Sequence, residues 1–232
     1  MFFMKVFKEL TKFEWFLWIS SLIIVSISCL LVPQQNMVSL FACLIGVTAV
    51  IFCAKGFVVG QVLIVVFSVL YGIVSFWFAY YGEMITYLGI STPVAICAII
   101  SWIKHPFQET KQVEISKMTS KQYAVVSVLT VVLTIAFYFI LKALGNANLV
   151  FSTISVATSF VAGYLTFMRS PFYALGYACN DVVLIVLWVL ATITDPANMP
   201  MIACFVVFLA NDLYGFVNWK KMEKSQKEKV SN

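Results

Sequence analysis

Residues 172–193 read FYALGYACNDVVLIVLWVLATI, and this one stretch decides the class of fold. As an α-helix it rises about 33 Å, enough to cross a hydrocarbon core of roughly 30 Å. Most of its residues are apolar, yet Asn180 and Asp181 sit near its middle. A carboxylate at that depth costs roughly 2.5–3.5 kcal/mol even on the most lenient insertion scale, so it needs a polar cavity or a partner. A second pair, Asn211-Asp212, lies inside the next apolar stretch. Asn180 follows Arg169 by eleven residues and Asn211 precedes Lys220 by nine. On two antiparallel neighbours, both pairs then sit roughly 12–16 Å from the same membrane border.

The rest of the chain repeats the pattern of that stretch. Of its 232 residues 62% are hydrophobic and 11% charged, with a mean hydropathy of +0.98. Soluble domains carry about a quarter charged residues, so a membrane protein is expected. Windows near 13–33, 36–54, 57–80, 84–102, 122–144, 148–168, 172–193 and 199–219 are each long enough to span. The connections are short, which predicts one all-α polytopic membrane domain of about eight helices. The net charge of +5 follows orientation rather than nucleic-acid binding. With both termini cytoplasmic, fourteen of the fifteen basic residues fall inside and only Lys142 outside, where Glu83 and Asp195 also lie. The six cysteines stand singly within spans, which predicts buried, reduced thiols.

The longest connection, Lys104 to Lys121, divides two comparable parts. Residues 36–102 and 148–219 each read as a three-helix unit whose first span ends at a basic residue, Lys55 or Arg169. Each third span ends in tryptophan beside lysine, at Trp102-Ile103-Lys104 and Trp219-Lys220. Segment 122–144 then becomes a linker helix that lets the two units run parallel, as in a parallel-repeat transporter. Helix 13–33 is extra, and 220–232 is a cytoplasmic tail.

Side-chain spacing places polar stripes on the last two spans. Asn211, Tyr214, Gly215 and Asn218 share one helical face, and Tyr173, Gly176, Tyr177 and Asn180 share another, with Trp188 two turns further on. Amides bind hydroxyls and ring nitrogens, while aromatic faces stack planar rings or cations. Asp181 and Asp212, about 100° away from their asparagines, are expected either to edge the same cavity or to lock the two helices to a third, with Gln61, Ser68 and Tyr71 as weaker candidates for the opposite wall. Hydrogen bonds between membrane helices are the competing reading for any one of these residues, less so for two carboxylates at matched depth. Pro93 should kink the fourth span, with Ser91 and Thr92 meeting the freed carbonyls. His105 is the sole histidine and no glycine-rich phosphate loop occurs, so no enzyme, metal or cofactor is expected and no ATP motor is present.

The stretches Gly176-Tyr-Ala-Cys-Asn-Asp-Val-Val-Leu-Ile-Val-Leu-Trp188 and Leu209-Ala-Asn-Asp-Leu-Tyr-Gly-Phe-Val-Asn-Trp219 resemble the PnuC family of bacterial vitamin transporters. Gly60-Gln61 through Glu83-Met84 and the exit Trp102-Ile-Lys-His-Pro106 share the likeness. The resemblance implies a 3+1+3 core like that of the SWEET sugar transporters, in a bacterial inner membrane. It further implies a homotrimer and facilitated diffusion of nicotinamide riboside, trapped afterwards by a cytoplasmic kinase. Thiamine or riboflavin is the alternative solute, and a non-transporting scaffold the alternative function. Many members carry Trp-x-x-Trp-x-x-x-Asn in the penultimate helix; here those positions are Tyr173, Gly176 and Asn180. No cationic residue lies deep in a core span to meet a phosphate, so the riboside is expected over its mononucleotide.

Overall fold

The computed structural model describes residues 6–32, 37–77, 80–146 and 148–231. Among these, eight helices are long and apolar enough to cross a membrane. They are α1 (Lys12–Leu30), α2 (Met37–Ala54), α3 (Val58–Trp77), α4 (Tyr81–Lys104), α5 (Ser120–Ala143), α6 (Leu149–Phe167), α7 (Tyr173–Thr194) and α8 (Met199–Ser231). Pro33, Asn36, Phe78 and Ala79, which the sequence windows include, lie outside the described residues, as does Lys5. Local signals explain two of the helix starts. Thr11 and Thr119 each cap a helix reciprocally with Glu14 or Gln122 three residues on. At 33 residues α8 is about 50 Å long, so its lysine-rich end projects beyond a core of roughly 30 Å.

Two boundaries differ from expectation. Glu83 is not in an outer loop, because α4 already begins at Tyr81 and takes Glu83 into its first turn, 1% exposed. A carboxylate is favoured there by the unpaired N–H groups of the helix start, and the Ser155 hydroxyl on α6 donates to it at 2.8 Å. Where a kink is expected, α4 contains a wide π turn, Tyr87–Ser91, just before Pro93. Thr92 Oγ1 donates to the Tyr87 carbonyl at 2.8 Å, whereas Ser91 turns inward. Two of the six thiols, Cys97 and Cys179, are exposed on the apolar surface rather than buried.

Six helices close a ring. α2 packs on α3, α3 on α4, α4 on α6, α6 on α7, α7 on α8, and α8 returns to α2. α1 lies outside against α2 and α8, and α5 leans only on α6 among helices with substantial contact. The seams α4–α6 and α8–α2 are fastened by matching bonds at one end. Ser101 Oγ and Trp102 Nε1 donate to the Phe167 and Thr166 carbonyls at 2.8 and 3.0 Å. Asn218 Nδ2 and Trp219 Nε1 donate to the Ala54 and Cys53 carbonyls at 2.8 and 2.9 Å.

The receiving helix ends match as well. α2 and α6 each stop through a residue with left-handed backbone, Gly56 at φ 72° and Arg169 at φ 57°. Each end makes the same closing bonds, from Gly56 N to Cys53 O and from Arg169 N to Thr166 O. Left-handed backbone is costly for arginine; its guanidinium is held by Glu114, whose carbonyl it reaches at 3.3 Å. The segment after α4 straps this end, with Val113 N on the Gly56 carbonyl and Ser116 N on the Arg169 carbonyl. Gln226 on α8 completes the strap by bonding both Ile115 N and Val113 O.

Candidate functional site

All six ring helices contribute to one central cavity. α2 supplies Val50 and Cys53; α3 supplies Gln61, Ile64, Phe67 and Ser68; the π turn of α4 supplies Tyr87 and Ser91. Ser159 comes from α6, while Tyr173, Tyr177, Asn180 and Asp181 come from α7 and Phe208 and Asp212 from α8. The space among these side chains is about 580 Å³ with its open mouth included, but only about 50 Å³ is freely open to water. Ligand pockets begin at roughly 300 Å³, so a solute larger than a few waters enters only as the lining gives way.

The polar groups converge from opposite walls. Asp181 and Asp212 both line the cavity and are buried, at 3% and 5% exposure, and one carboxyl oxygen of Asp181 has no hydrogen-bond partner among the described residues. Asn180 Oδ1 accepts from Thr158 and Ser159 at 2.7 and 3.0 Å, which directs its Nδ2 donor elsewhere. Gln61 Nε2 reaches Cys53 Sγ at 3.2 Å across the α2–α3 contact. Ser68 Oγ and Tyr173 Oη are buried in the lining with no hydrogen-bond partner among the described residues. Buried polar groups are rarely left so. Two unsatisfied hydroxyls beside two carboxyls form a site able to take hydrogen-bonding, cationic or hydroxylated solutes.

Six of the ten candidate residues thus share the cavity, namely Gln61, Tyr173, Tyr177, Asn180, Asp181 and Asp212. The other four are placed elsewhere. Asn211 is fully buried against α1, donating to Ser21 Oγ at 3.1 Å and to the Val207 carbonyl at 2.8 Å. Tyr214 donates to Glu14 Oε1 at 2.6 Å, and Glu14 also pairs with Lys55 at 3.2 Å. Asn218 closes the seam to α2. The reason is geometric: successive helical residues point about 100° apart, so turning Asp212 inward aims the Asn211–Tyr214–Asn218 stripe at α1 and α2. Trp188 is also fully buried but sits beyond the cavity, donating its indole N–H to Tyr71 Oη at 2.8 Å. Cys53, Ser91 and Ser159 complete the lining without any sequence signal stronger than that of other small polar residues.

A largely apolar cavity edged by carboxyls, an amide and hydroxyls, and enclosed by a ring of membrane-spanning helices, is the build of a solute carrier. Residues 36–221 match the sequence profile of the family described as nicotinamide mononucleotide transporter. The match covers most of the chain, which belongs to that family. A protein of Neisseria mucosa named nicotinamide riboside transporter PnuC is 30% identical over 189 residues, covering 79% of this chain and 72% of its own length. A Haemophilus influenzae protein of the same name is 24% identical over 211 residues, covering 89% of both. The crystal structure of the vitamin B3 transporter PnuC superposes with a TM-score of 0.81 at 27% identity, covering 94% of both chains.

Proposed function

We propose that this chain carries nicotinamide riboside across the bacterial inner membrane by facilitated diffusion, with both termini in the cytoplasm and a kinase there trapping the solute. The carrying observation is that Asp181 and Asp212 both line a cavity whose described lining holds no arginine or lysine. The riboside bears a fixed pyridinium charge, which two carboxyls and the Tyr173 and Tyr177 rings suit. Its hydroxyls suit Asn180, Ser68 and Ser159. A mononucleotide adds a phosphate, and desolvating it beside two carboxyls is prohibitive. The names borne by both relatives support the riboside. The matched bonds of Trp102 and Trp219 support two three-helix units, 36–102 and 148–219, that move against each other about a two-fold axis. A homotrimer is the assembly proposed, on the family resemblance.

One observation keeps another vitamin, thiamine or riboflavin, as a second reading. Gly176 stands where the family's second tryptophan is expected, and a Cβ there would meet Ala162 Cα at 3.1 Å. That position therefore packs α7 on α6 and stacks nothing. Thermal shifts of the purified protein with nicotinamide riboside, its mononucleotide, thiamine and riboflavin side by side decide the solute. The riboside alone is expected to stabilise. Equal stabilisation by the mononucleotide defeats the charge argument, and stabilisation by thiamine instead moves the solute.

The two asparagines give a separate test. Asn180→Ala is expected to raise the KM for uptake. Asn211→Ala is expected to leave KM unchanged and to lower stability by about 1–3 kcal/mol, the usual effect of losing a buried hydrogen bond. Kinetics and melting curves of the two variants check this. A raised KM in Asn211→Ala returns that residue to the site.

A further inference from the structure

Aromatic layers bracket the cavity on both sides. Towards the lysine-rich end, Trp219 packs edge-on against the lining Tyr173 with ring centroids 4.4 Å apart, and the ring centroid of Trp102 lies 5.4 Å from that of Trp219. Towards the other end, Tyr71 packs on the lining residues Phe67 and Tyr87 at 5.5 and 4.3 Å. Trp188 lies beyond Tyr71, with Tyr80 against it at 5.0 Å. Tyr71, Trp102, Trp188 and Trp219 are all at or below 1% exposure. Packing alone accounts for aromatic layers; their hydrogen bonds need a further reason. Each of the three indoles donates across the boundary between residues 36–102 and 148–219. Trp102 reaches Thr166 O, Trp219 reaches Cys53 O, and Trp188 reaches Tyr71 Oη.

We propose that Trp102 and Trp219 form the gate at the lysine-rich face, and that Trp188 with Tyr71 forms the gate at the opposite face. An indole N–H bond is suited to this work. Its net worth is modest, since the donor finds a substitute in water when the gate opens, yet it holds a large ring in one place. Opening one end then breaks one set of cross-boundary bonds and leaves the other intact. The proposal rests on the transport reading but not on which solute is carried.

Cys53 is a built-in reporter, because its thiol lines the cavity between the two layers and is 4% exposed. The full chain, with Cys29, Cys43, Cys97, Cys179 and Cys204 replaced by alanine, is reconstituted in vesicles and labelled with a membrane-impermeant maleimide from either face. A separate Lys229→Cys variant shows which face bears the lysines. The unaltered gates should label slowly from both faces. Trp102→Phe with Trp219→Phe should speed labelling by about tenfold from the lysine-rich face alone, the shift expected from losing two modest hydrogen bonds. Trp188→Phe or Tyr71→Phe should do so from the opposite face alone.

Unchanged rates, or faster labelling from the same face in both cases, overturns the proposal. Labelling that rises from both faces marks a lost fold. The single changes Trp102→Phe, Trp219→Phe and Tyr71→Phe, each removing one donor or acceptor, then decide it by the same criterion. No solute is added, so a wrong vitamin leaves the result readable; protection of Cys53 by nicotinamide riboside tests the solute separately.

Discussion

Replacing both Asp181 and Asp212 with asparagine is expected to cut nicotinamide riboside uptake by about tenfold to a hundredfold. Opposite unit charges about 4 Å apart attract by roughly 4 kcal/mol at an effective dielectric of about 20, part of which desolvation offsets, and each 1.4 kcal/mol is about a factor of ten. Asparagine keeps the shape and hydrogen-bonding capacity of aspartate while removing the negative charge that a pyridinium meets. Both residues line the cavity, and no lysine or arginine of its described lining offsets them. Stability should hold, because neutral amides of the same shape replace two buried acids of like charge, whose burial is itself costly. Initial uptake rates, read beside melting curves, check both halves. The neutral 1,4-dihydro form of the riboside adds a control whose uptake should change far less. Undiminished uptake of the cation by a folded double variant removes the charge argument.

Gly60→Ala is expected to abolish folded protein, the second large effect. α3 starts so close to the end of α2 that a Cβ at Gly60 would lie 2.5 Å from Cys53 N, 2.7 Å from its sulfur and 2.9 Å from the Ala49 carbonyl. Two of those atoms are backbone and cannot rotate away. Overpacking in a core costs roughly 1–3 kcal/mol even where side chains can yield, and here the helices themselves must part. The damage would reach the site directly, since Cys53 lines the cavity and its carbonyl receives Trp219. Yield of monodisperse protein and its melting temperature measure the outcome. Gly89→Ala is the matched control, because a Cβ there finds only Ile85 Cγ2, at 3.9 Å. A Gly60→Ala protein that purifies and melts like the parent contradicts this packing.

Much of this was legible before any coordinates. Length and hydropathy set the eight helices, because a bilayer demands runs of about 20 apolar residues and satisfies backbone groups only in regular structure. The buried carboxylates pointed to the cavity for the same reason. Side-chain direction was harder to read. Asn211 and Asp212 are adjacent, and only the docking of α1 against α8 decides that the amide turns outward and the carboxyl inward. Glu83 misled because its neighbours Tyr80 to Gly82 look like an interfacial turn, whereas the helix starts two residues before it. The contributions of Ser91, Ser159 and Cys53 carry no pattern at all, since small polar residues serve equally as helix-packing contacts.

The most direct test of the account is uptake of labelled nicotinamide riboside into proteoliposomes holding the purified chain and no kinase. Facilitated diffusion predicts entry faster than into protein-free vesicles, stopping when inside and outside concentrations are equal and unaffected by collapsing a pH gradient. Entry no faster than into empty vesicles would contradict the assigned solute. Accumulation beyond equality that vanishes with the gradient would contradict the passive mechanism and make the carrier ion-coupled.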